Sequence, residues 1–128
     1  MSVTEPSFLL DANICIYILS GTSEVARARV QQSPVGALVT SSVACAEIMV
    51  GARAMGAVPE AEALFSLVKV LPFDVDAARA YSLLPFRRGS FDRLIAAHAL
   101  ALDLTLVSNN ERDFADLPGL RVENWTRP

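Results

Sequence analysis

Four acidic residues lie at positions from which a parallel α/β sheet would direct them into one crevice. Asp11 follows a short apolar run, Glu47 lies within an apolar helical segment, Asp92 begins another helical segment, and Asp113 follows the last strongly apolar run. Strand ends and helix starts meet at the carboxyl edge of such a sheet, where these folds bind ligands. Crowded carboxylates repel one another unless protons or hard divalent cations neutralise them. The pattern therefore predicts a metal-dependent hydrolase that acts on an anionic substrate.

Each acid also has a purely structural interpretation. Asp11 can cap the helix that follows it, and Asp92 lies in a first helical turn that Ser90 could cap, where an acid interacts well with the helix dipole. Asp113 follows Asn110 by three residues, the spacing of a side-chain cap. Glu47 is harder to explain in this way, because an unpaired buried carboxylate is costly. Its helical neighbours three and four positions away are small or apolar, namely Val43, Ala44, Val50 and Gly51. Four acids at four such positions favour one shared site.

Other nucleophilic chemistries find little support. His98 is the only histidine, and it lies six residues after Asp92, about 120° around the helix from it. Its apolar neighbours favour a packed histidine, and no Ser–His–Asp or Cys–His arrangement is apparent. Cys15 and Cys45 lie in apolar helical segments and are interpreted as buried, reduced thiols, which fits a cytoplasmic protein.

Length and composition indicate a single domain over residues 1–128. Apolar residues make up 52% of the chain, and the mean hydropathy is +0.38. No run approaches the roughly 18 apolar residues of a membrane span, so the surplus predicts a dimer or partner surface. The net charge of −3 provides no general basic field for nucleic acid.

Alternating apolar runs and helical segments predict a parallel sheet with right-handed crossovers. Predicted strands cover residues 8–10, 37–40, 68–71 and 104–107, with a fifth at 120–122. Predicted helices cover 14–19, 23–32, a segment from 41 or 42 past Glu47, 59–67, 75–84 and 91–102. A two-component receiver domain has the same alternation but needs an acid pair and a differently placed lysine. A haloacid-dehalogenase-type phosphatase needs D-x-D, and Asn13 breaks that motif.

The ordered segments resemble the PIN-domain ribonucleases, and most closely the VapC toxins of bacterial toxin–antitoxin pairs. The matching pieces are L-L-D-A-N-I-C-I-Y-I-L, S-S-V-A-C-A-E-I-M-V-G-A, F-D-R-L-I-A-A-H-A-L-A-L and L-V-S-N-N-E-R-D-F, followed by P-G-L-R-V-E-N-W. The resemblance implies a three-layer α/β/α sandwich around a mostly parallel sheet of four to five strands. It also implies an endoribonuclease that depends on Mg²⁺ or Mn²⁺.

Carried over by position, the resemblance assigns catalysis and metal binding to Asp11, Glu47 and Asp92. Family members carry a fourth acid at the position of either Asn110 or Asp113, and here only Asp113 is acidic. The expected accessory polar residues are Asn13, Ser108, Asn109 and Asn110. Four arginines flank the acids in sequence and are candidates for positioning the RNA backbone, with solvated surface charge as the alternative: Arg87, Arg88, Arg93 and Arg112.

The resemblance further implies a VapB-type antitoxin as partner and RNA as substrate. We expect a homodimer that assembles into a toxin–antitoxin complex and contacts DNA only through the antitoxin, because the net charge is negative. We expect no membrane association. The competing interpretation is a PIN-like module that binds its partners with little or no catalysis.

Overall fold

A computed structural model of the chain describes residues 5–86 and 90–127. Five strands are present there: β1 (Phe8–Leu10), β2 (Leu38–Ser41), β3 (Lys69–Leu71), β4 (Thr105–Val107) and β5 (Val122–Glu123). Six α-helices accompany them: α1 (Ala12–Ser20), α2 (Glu24–Gln32), α3 (Ser42–Met55), α4 (Val58–Leu67), α5 (Val75–Ser82) and α6 (Phe91–Leu102). A short 3₁₀-helix, Glu111–Phe114, follows β4.

The strands form one sheet in the order β3-β2-β1-β4-β5, and all four pairings are parallel. β1 lies at the centre, where Leu10 is in register with Thr40 on one side and Val107 on the other. The chain moves outward from β1 to β3 and then crosses back to β4. Strand order therefore reverses between β1 and β4, the position at which open α/β sheets bind ligands.

Helices cover both faces of the sheet, so the predicted three-layer α/β/α fold is confirmed. Right-handed crossovers place the helices of the outward leg on one face and those of the return on the other. Accordingly, α1 contacts α2, α3 and α4, whereas α5 packs on α6. The two helical layers also meet, because α3 contacts α6. This contact brings the helix that carries Glu47 next to the helix that carries Asp92.

Polar caps fix where these helices begin. Asp11, Ser41 and Ser90 cap α1, α3 and α6, each accepting a hydrogen bond from a backbone N–H in the first turn. α1 and α3 end at Gly21 and Gly56, whose positive φ angles of 71° and 67° suit glycine. The elements that carry the acids therefore have defined starting points.

Element boundaries differ from the sequence prediction by a few residues. α3 continues through Gly51 to Met55, because a single glycine inside a long helix costs only about 1 kcal/mol. β5 forms at Val122–Glu123, two residues beyond the predicted start, since its pairing with β4 sets its position. The prediction of two buried thiols is half wrong: Cys15 is buried, but Cys45 is only partly buried.

The core lies between the sheet and the two helical layers and is built mainly from Leu, Ile, Val and Ala side chains. Trp125 closes it at the end of the described chain, packing edge-to-face on Phe8 with ring centroids 5.0 Å apart. The Arg29 guanidinium covers the Trp125 ring at 4.7 Å. None of the helices within residues 5–86 and 90–127 combines the length and apolarity that a membrane span needs.

Candidate active site

Asp11 stands directly after the central strand and is 3% exposed. Its Oδ1 accepts a hydrogen bond from the Ile14 backbone N–H at 2.9 Å, and its own N–H donates to the Val107 carbonyl at 3.0 Å. The capping interpretation is therefore correct for Asp11, and it does not exclude the other one. A cap uses one carboxylate oxygen and leaves the second directed toward the neighbouring acids.

Electrostatics connect Asp11 to the other acids. The pKa of Asp11 is raised from its usual 3.8 to about 6, mainly by burial and also by the charges of Asp92 and Glu47. Hydrogen bonds from Ser108 and from the Ile14 N–H lower this pKa and limit the shift. Three carboxylates on three different elements thus face one another across the carboxyl edge of the sheet.

Glu47 contributes an oxygen that lacks a partner. The side chain is half-buried on α3, and Oε1 is fully buried with no hydrogen-bond partner among the described residues. Burial raises the pKa of Glu47, and the charge of Asp92 raises it as well. The expectation of a partly buried glutamate is confirmed, and its buried Oε1 is an acceptor that a cation would fit.

Asp92 does not cap α6. The cap is Ser90, whose Oγ accepts a hydrogen bond from the Arg93 N–H at 3.2 Å. Burial raises the pKa of Asp92, the charge of Asp113 raises it too, and a hydrogen bond with Asn110 lowers it. Ser90 is therefore the cap, and Asp92 is an acid of the first turn, where the helix dipole favours a negative charge. Its half-buried carboxylate lies between the Asp11–Glu47 pair and Asp113.

Asp113 lies in the 3₁₀-helix after β4, and the Asn110 side-chain amide donates to its Oδ2. Asn110 makes no side-chain cap to this helix, so the predicted capping arrangement of Asn110 and Asp113 is wrong. Asn110 also lowers the pKa of Asp92, so its amide lies near both acids.

The set fits a hard divalent cation. All the converging groups are oxygen donors of the kind that Mg²⁺ prefers, and the Glu47 Oε1 acceptor is unsatisfied. Among the residues that the structure describes, no three acidic, histidine or cysteine side chains lie close enough to share one ion directly. This spacing suits an ion bound by one or two carboxylates and otherwise through water, as is usual for Mg²⁺.

The accessory polar residues divide into two groups. Ser108 is buried and its side chain bonds Asp11. Asn109 donates from Nδ2 to the Tyr17 hydroxyl at 3.0 Å. The Oδ1 of Asn109 is buried and has no hydrogen-bond partner among the described residues. Asn13 is exposed on α1, and no hydrogen bond in the described structure ties it to the acids. Tyr17, which orients Asn109, was missed from the sequence because its helical position gives no sign of contact with a loop 92 residues later.

The predicted RNA-positioning arginines also divide. Arg93 is 2% exposed and its guanidinium is committed to Asp116, so its assignment to RNA is withdrawn. Arg112 is exposed beside Asp113 and remains available. Arg87 and Arg88 lie outside the described residues.

His98 is a core residue, as its neighbours predicted. It is 2% exposed, packs edge-to-face on Phe73 with centroids 5.6 Å apart, and contacts the Ser41 Oγ through Nδ1 at 2.9 Å. Since Ser41 Oγ already accepts from the Val43 N–H, its hydroxyl can donate to Nδ1. Burial lowers the pKa of His98, which favours the neutral ring. Its role is to support the start of α3.

Comparison with known proteins decides the family. Residues 8–120 match the PIN domain, which covers most of the chain and all four acids. The chain belongs to the PIN-domain family. Relatives of this PIN domain include the tRNA(fMet)-specific endonuclease VapC of Shigella flexneri, 35% identical over 93% of this chain and 98% of that protein. The Salmonella typhimurium protein of the same name is 32% identical over 92% of this chain and 97% of that protein.

Solved structures agree with the fold of this PIN domain. DNA-bound VapBC from Salmonella typhimurium superposes with a TM-score of 0.81 at 30% identity, covering 94% of this chain and 98% of that one. VapBC2 from Rickettsia felis, bound to a DNA fragment from its promoter, gives a TM-score of 0.79 at 25% identity, covering 92% of this chain and 98% of that one. Both structures therefore share the fold of this PIN domain over nearly their whole length.

We predict that Asp11→Asn stabilises the metal-free PIN domain at high pH. The folded-state pKa of about 6 lies above the usual 3.8, so ionisation of Asp11 opposes folding. This penalty is absent below about pH 4, grows as pH rises through about 6, and reaches about 3 kcal/mol above it. Urea unfolding in EDTA at pH 4.5 and pH 8 should show a clearly larger gain for the variant at pH 8, because at pH 4.5 most of the penalty has not yet developed.

Asp74→Asn is the matched control, because Asp74 caps α5 through the same bond, 3.0 Å from the Ala77 N–H, but is exposed. It should change the free energy of unfolding by a similar small amount at both pH values. A gain for Asp11→Asn that does not depend on pH would contradict the burial argument.

Proposed function

We propose that this PIN domain is a metal-dependent endoribonuclease and the toxin of a type II toxin–antitoxin system. The observation that carries the proposal is the buried, unpartnered Oε1 of Glu47 beside Asp92, within a set of four mutually repelling carboxylates. Family membership and full-length similarity to VapC ribonucleases support the same activity.

Asp11, Glu47 and Asp92 would hold the cation, one or two of them directly and the rest through bound water, with Asp113 completing the site. Mg²⁺, or Mn²⁺ in its place, would supply charge neutralisation and a water activated for attack on the phosphodiester. The oxygen donors support a divalent ion as the neutralising partner, and a pKa of about 6 leaves Asp11 largely ionised near neutral pH.

Each protein group then has a role of its own. Asp11 is fixed by the Ile14 N–H and so presents its free oxygen in one direction. Asn110, which bonds Asp113 and lowers the pKa of Asp92, would hold these two acids in place. Exposed Arg112 beside Asp113 can contact RNA phosphates.

Hydrolysis by water would leave a 5′-phosphate and a 3′-hydroxyl. This route requires no ribose 2′-hydroxyl nucleophile and no histidine pair. It agrees with a chain whose single histidine is buried and bonded to Ser41.

The first substrate to test is the initiator tRNA, because two relatives over nearly the full chain bear the name tRNA(fMet)-specific endonuclease. Other relatives of similar coverage are named only as ribonucleases. Structured RNA is recognised largely by shape and by unstacked loop bases, so the cleavage site must be mapped directly. Since RNA is the proposed substrate, the proposed place of action is the cytoplasm.

A VapB-type antitoxin is the proposed partner, and its binding surface is proposed to lie on α1 and α3. These helices contact each other and expose Ile16, Val50 and Met55 at 39%, 74% and 81%. The same two elements carry Asp11 at the start of α1 and Glu47 within α3. An apolar antitoxin segment with an Arg or Lys reaching the acids would cover both features.

A homodimer is the proposed assembly. The second group of exposed apolar side chains lies on α5 and around the start of α6: Val75, Leu83, Phe86 and Phe91. This surface is separate from α1 and α3, so a dimer and an antitoxin could be accommodated together. DNA contact is assigned to the antitoxin, because the net charge of this chain is −3.

Glu47→Gln, Asp92→Asn and Asp113→Asn should lower cleavage of tRNA(fMet) in Mg²⁺, the first two by about 100-fold or more and Asp113→Asn by less. Each loses a charged oxygen donor while keeping its shape. EDTA should abolish wild-type cleavage, and Mg²⁺ or Mn²⁺ should restore it. Single-turnover cleavage with mapping of the 5′ ends measures both effects.

Two exposed acids serve as controls. Asp76→Asn lies in the first turn of α5 as Asp92 does in α6, and Glu60→Gln lies on α4. Both should cleave at the wild-type rate. Wild-type cleavage that persists in excess EDTA would rule out the metal mechanism, and a folded wild type that cleaves no RNA but binds antitoxin would support the pure binding module.

Val50→Asp should weaken antitoxin binding by about tenfold or more, because it places a charge in the proposed apolar contact. Isothermal titration with the antitoxin encoded beside this chain measures the change. Val35→Asp is the control. Val35 is 86% exposed and precedes β2, so it lies at the amino ends of the strands, whereas the acids lie at their carboxyl ends. Equal losses from both substitutions would refute the assignment of the surface.

Leu83→Asp should convert a dimer to a monomer in sedimentation velocity experiments, because Leu83 is 85% exposed on the proposed dimer surface. Val35→Asp again serves as the control and should leave the sedimentation coefficient unchanged. A wild-type chain that sediments as a monomer at high concentration would refute the dimer.

A further inference from the structure

Arg93 is a buried guanidinium located one residue after Asp92. It is 2% exposed and is among the largest fully buried side chains in the described chain. A buried cation persists only when it is well paired, because burial removes its hydration. Its partners are therefore informative about what this position does.

The guanidinium connects three separate segments. Nη2 donates to both oxygens of Asp116, at 2.9 and 3.0 Å. Nη1 donates at 3.5 Å to the carbonyl of Pro85, which lies shortly after the end of α5. Arg93 itself belongs to the first turn of α6. The segment after β4 and the segment after α5 are thus both attached to the start of α6.

The Asp116 segment is continuous with the helix that carries Asp113. Phe114 and Leu117 flank it in the core at 3% and 5% exposure, and the Leu117 N–H donates to the Phe114 carbonyl at 3.1 Å. Fixing Asp116 therefore fixes the 3₁₀-helix. Asp92 and Arg93 are adjacent in α6, and Asp113 and Asp116 are three residues apart. The Arg93–Asp116 ion pair therefore joins the same two segments that carry Asp92 and Asp113.

Asp92 and Asp113 repel each other, since each is an acid and the charge of one raises the pKa of the other. Asn110 bonds Asp113 within the segment after β4, whereas Arg93 joins that segment to α6 through Asp116.

We propose that Arg93 is a positioning residue, whose ion pair with Asp116 holds the Asp113 helix against the start of α6 and so sets the spacing of Asp92 and Asp113. The proposal rests on the metal-dependent function proposed above. Because Arg93 follows an acid of the site in the sequence, it resembles a residue that contacts RNA. The proposal assigns it a positioning role instead. Substrate affinity should be largely independent of it.

The test compares Arg93→Met with Ile95→Ala, a cavity variant of the same helix whose side chain is fully buried. Binding of Mn²⁺ alone, measured by electron paramagnetic resonance at a temperature where all variants are folded, should weaken about tenfold or more in Arg93→Met, as for outer partners of metal ligands. Ile95→Ala should bind Mn²⁺ like the wild type. Arg93→Lys keeps the charge but loses the fork geometry and should fall between.

Amide hydrogen exchange without metal gives a second, independent measurement. The Asp113 N–H donates to the Asn110 carbonyl at 3.1 Å, and the Leu106 N–H donates to the Arg121 carbonyl at 2.9 Å in the sheet. Relative to Leu106, exchange at Asp113 should accelerate about tenfold in Arg93→Met and stay unchanged in Ile95→Ala. If Arg93→Met does not fold, Asp116→Asn and Arg93→Lys are measured in its place.

Wild-type Mn²⁺ affinity in Arg93→Met, or equal exchange in the two variants, would overturn the positioning role. A wild-type chain that binds no Mn²⁺ would instead overturn the proposed metal function. Exchange at Asp113 would then still decide the positioning role, with acceleration supporting it and no change refuting it.

Discussion

Repulsion among four carboxylates at the carboxyl edge of β1 and β4 is the constraint around which this structure is organised. Burial and the charges of Asp92 and Glu47 raise the pKa of Asp11 to about 6, so the metal-free fold is destabilised whenever that group ionises. Such a cost is retained where a ligand removes it. The core around the site supplies the opposing free energy, since Leu9, Leu10, Leu106 and Val107 beneath the acids are fully buried.

The fold brings the acids together through strand order and holds them through polar contacts. Because the order reverses between β1 and β4, the loops that carry Asp11 and Asp113 leave neighbouring strands at the same edge. The contact between α3 and α6 adds Glu47 and Asp92 from the two helical layers. Ser90 takes over the capping of α6, which leaves Asp92 available, whereas Asp11 both caps its helix and joins the cluster.

The proposed assembly uses the surface outside the acids. Two groups of exposed apolar side chains lie on different helix pairs, one on α1 and α3 next to the site and one on α5 and α6. A negatively charged chain with apolar surfaces is better suited to protein partners than to DNA. A partner on α1 and α3 would reach Asp11 and Glu47 directly, so inhibition and assembly would use the same surface.

The sequence by itself determined the parallel α/β fold, the partly buried Glu47, the packed His98 and the position of every acid on its element, because apolar periodicity and capping residues are local signals. It left Asp92 and Asp113 open between capping and the cluster, and it misplaced Arg93 on the surface. Only the tertiary structure decided these, since the partners are distant in sequence: Asp116 lies 23 residues after Arg93, and Tyr17 lies 92 residues before Asn109. A side chain next to an acid in sequence can point into the core on a helix, and what it meets there is set by the packing of other elements.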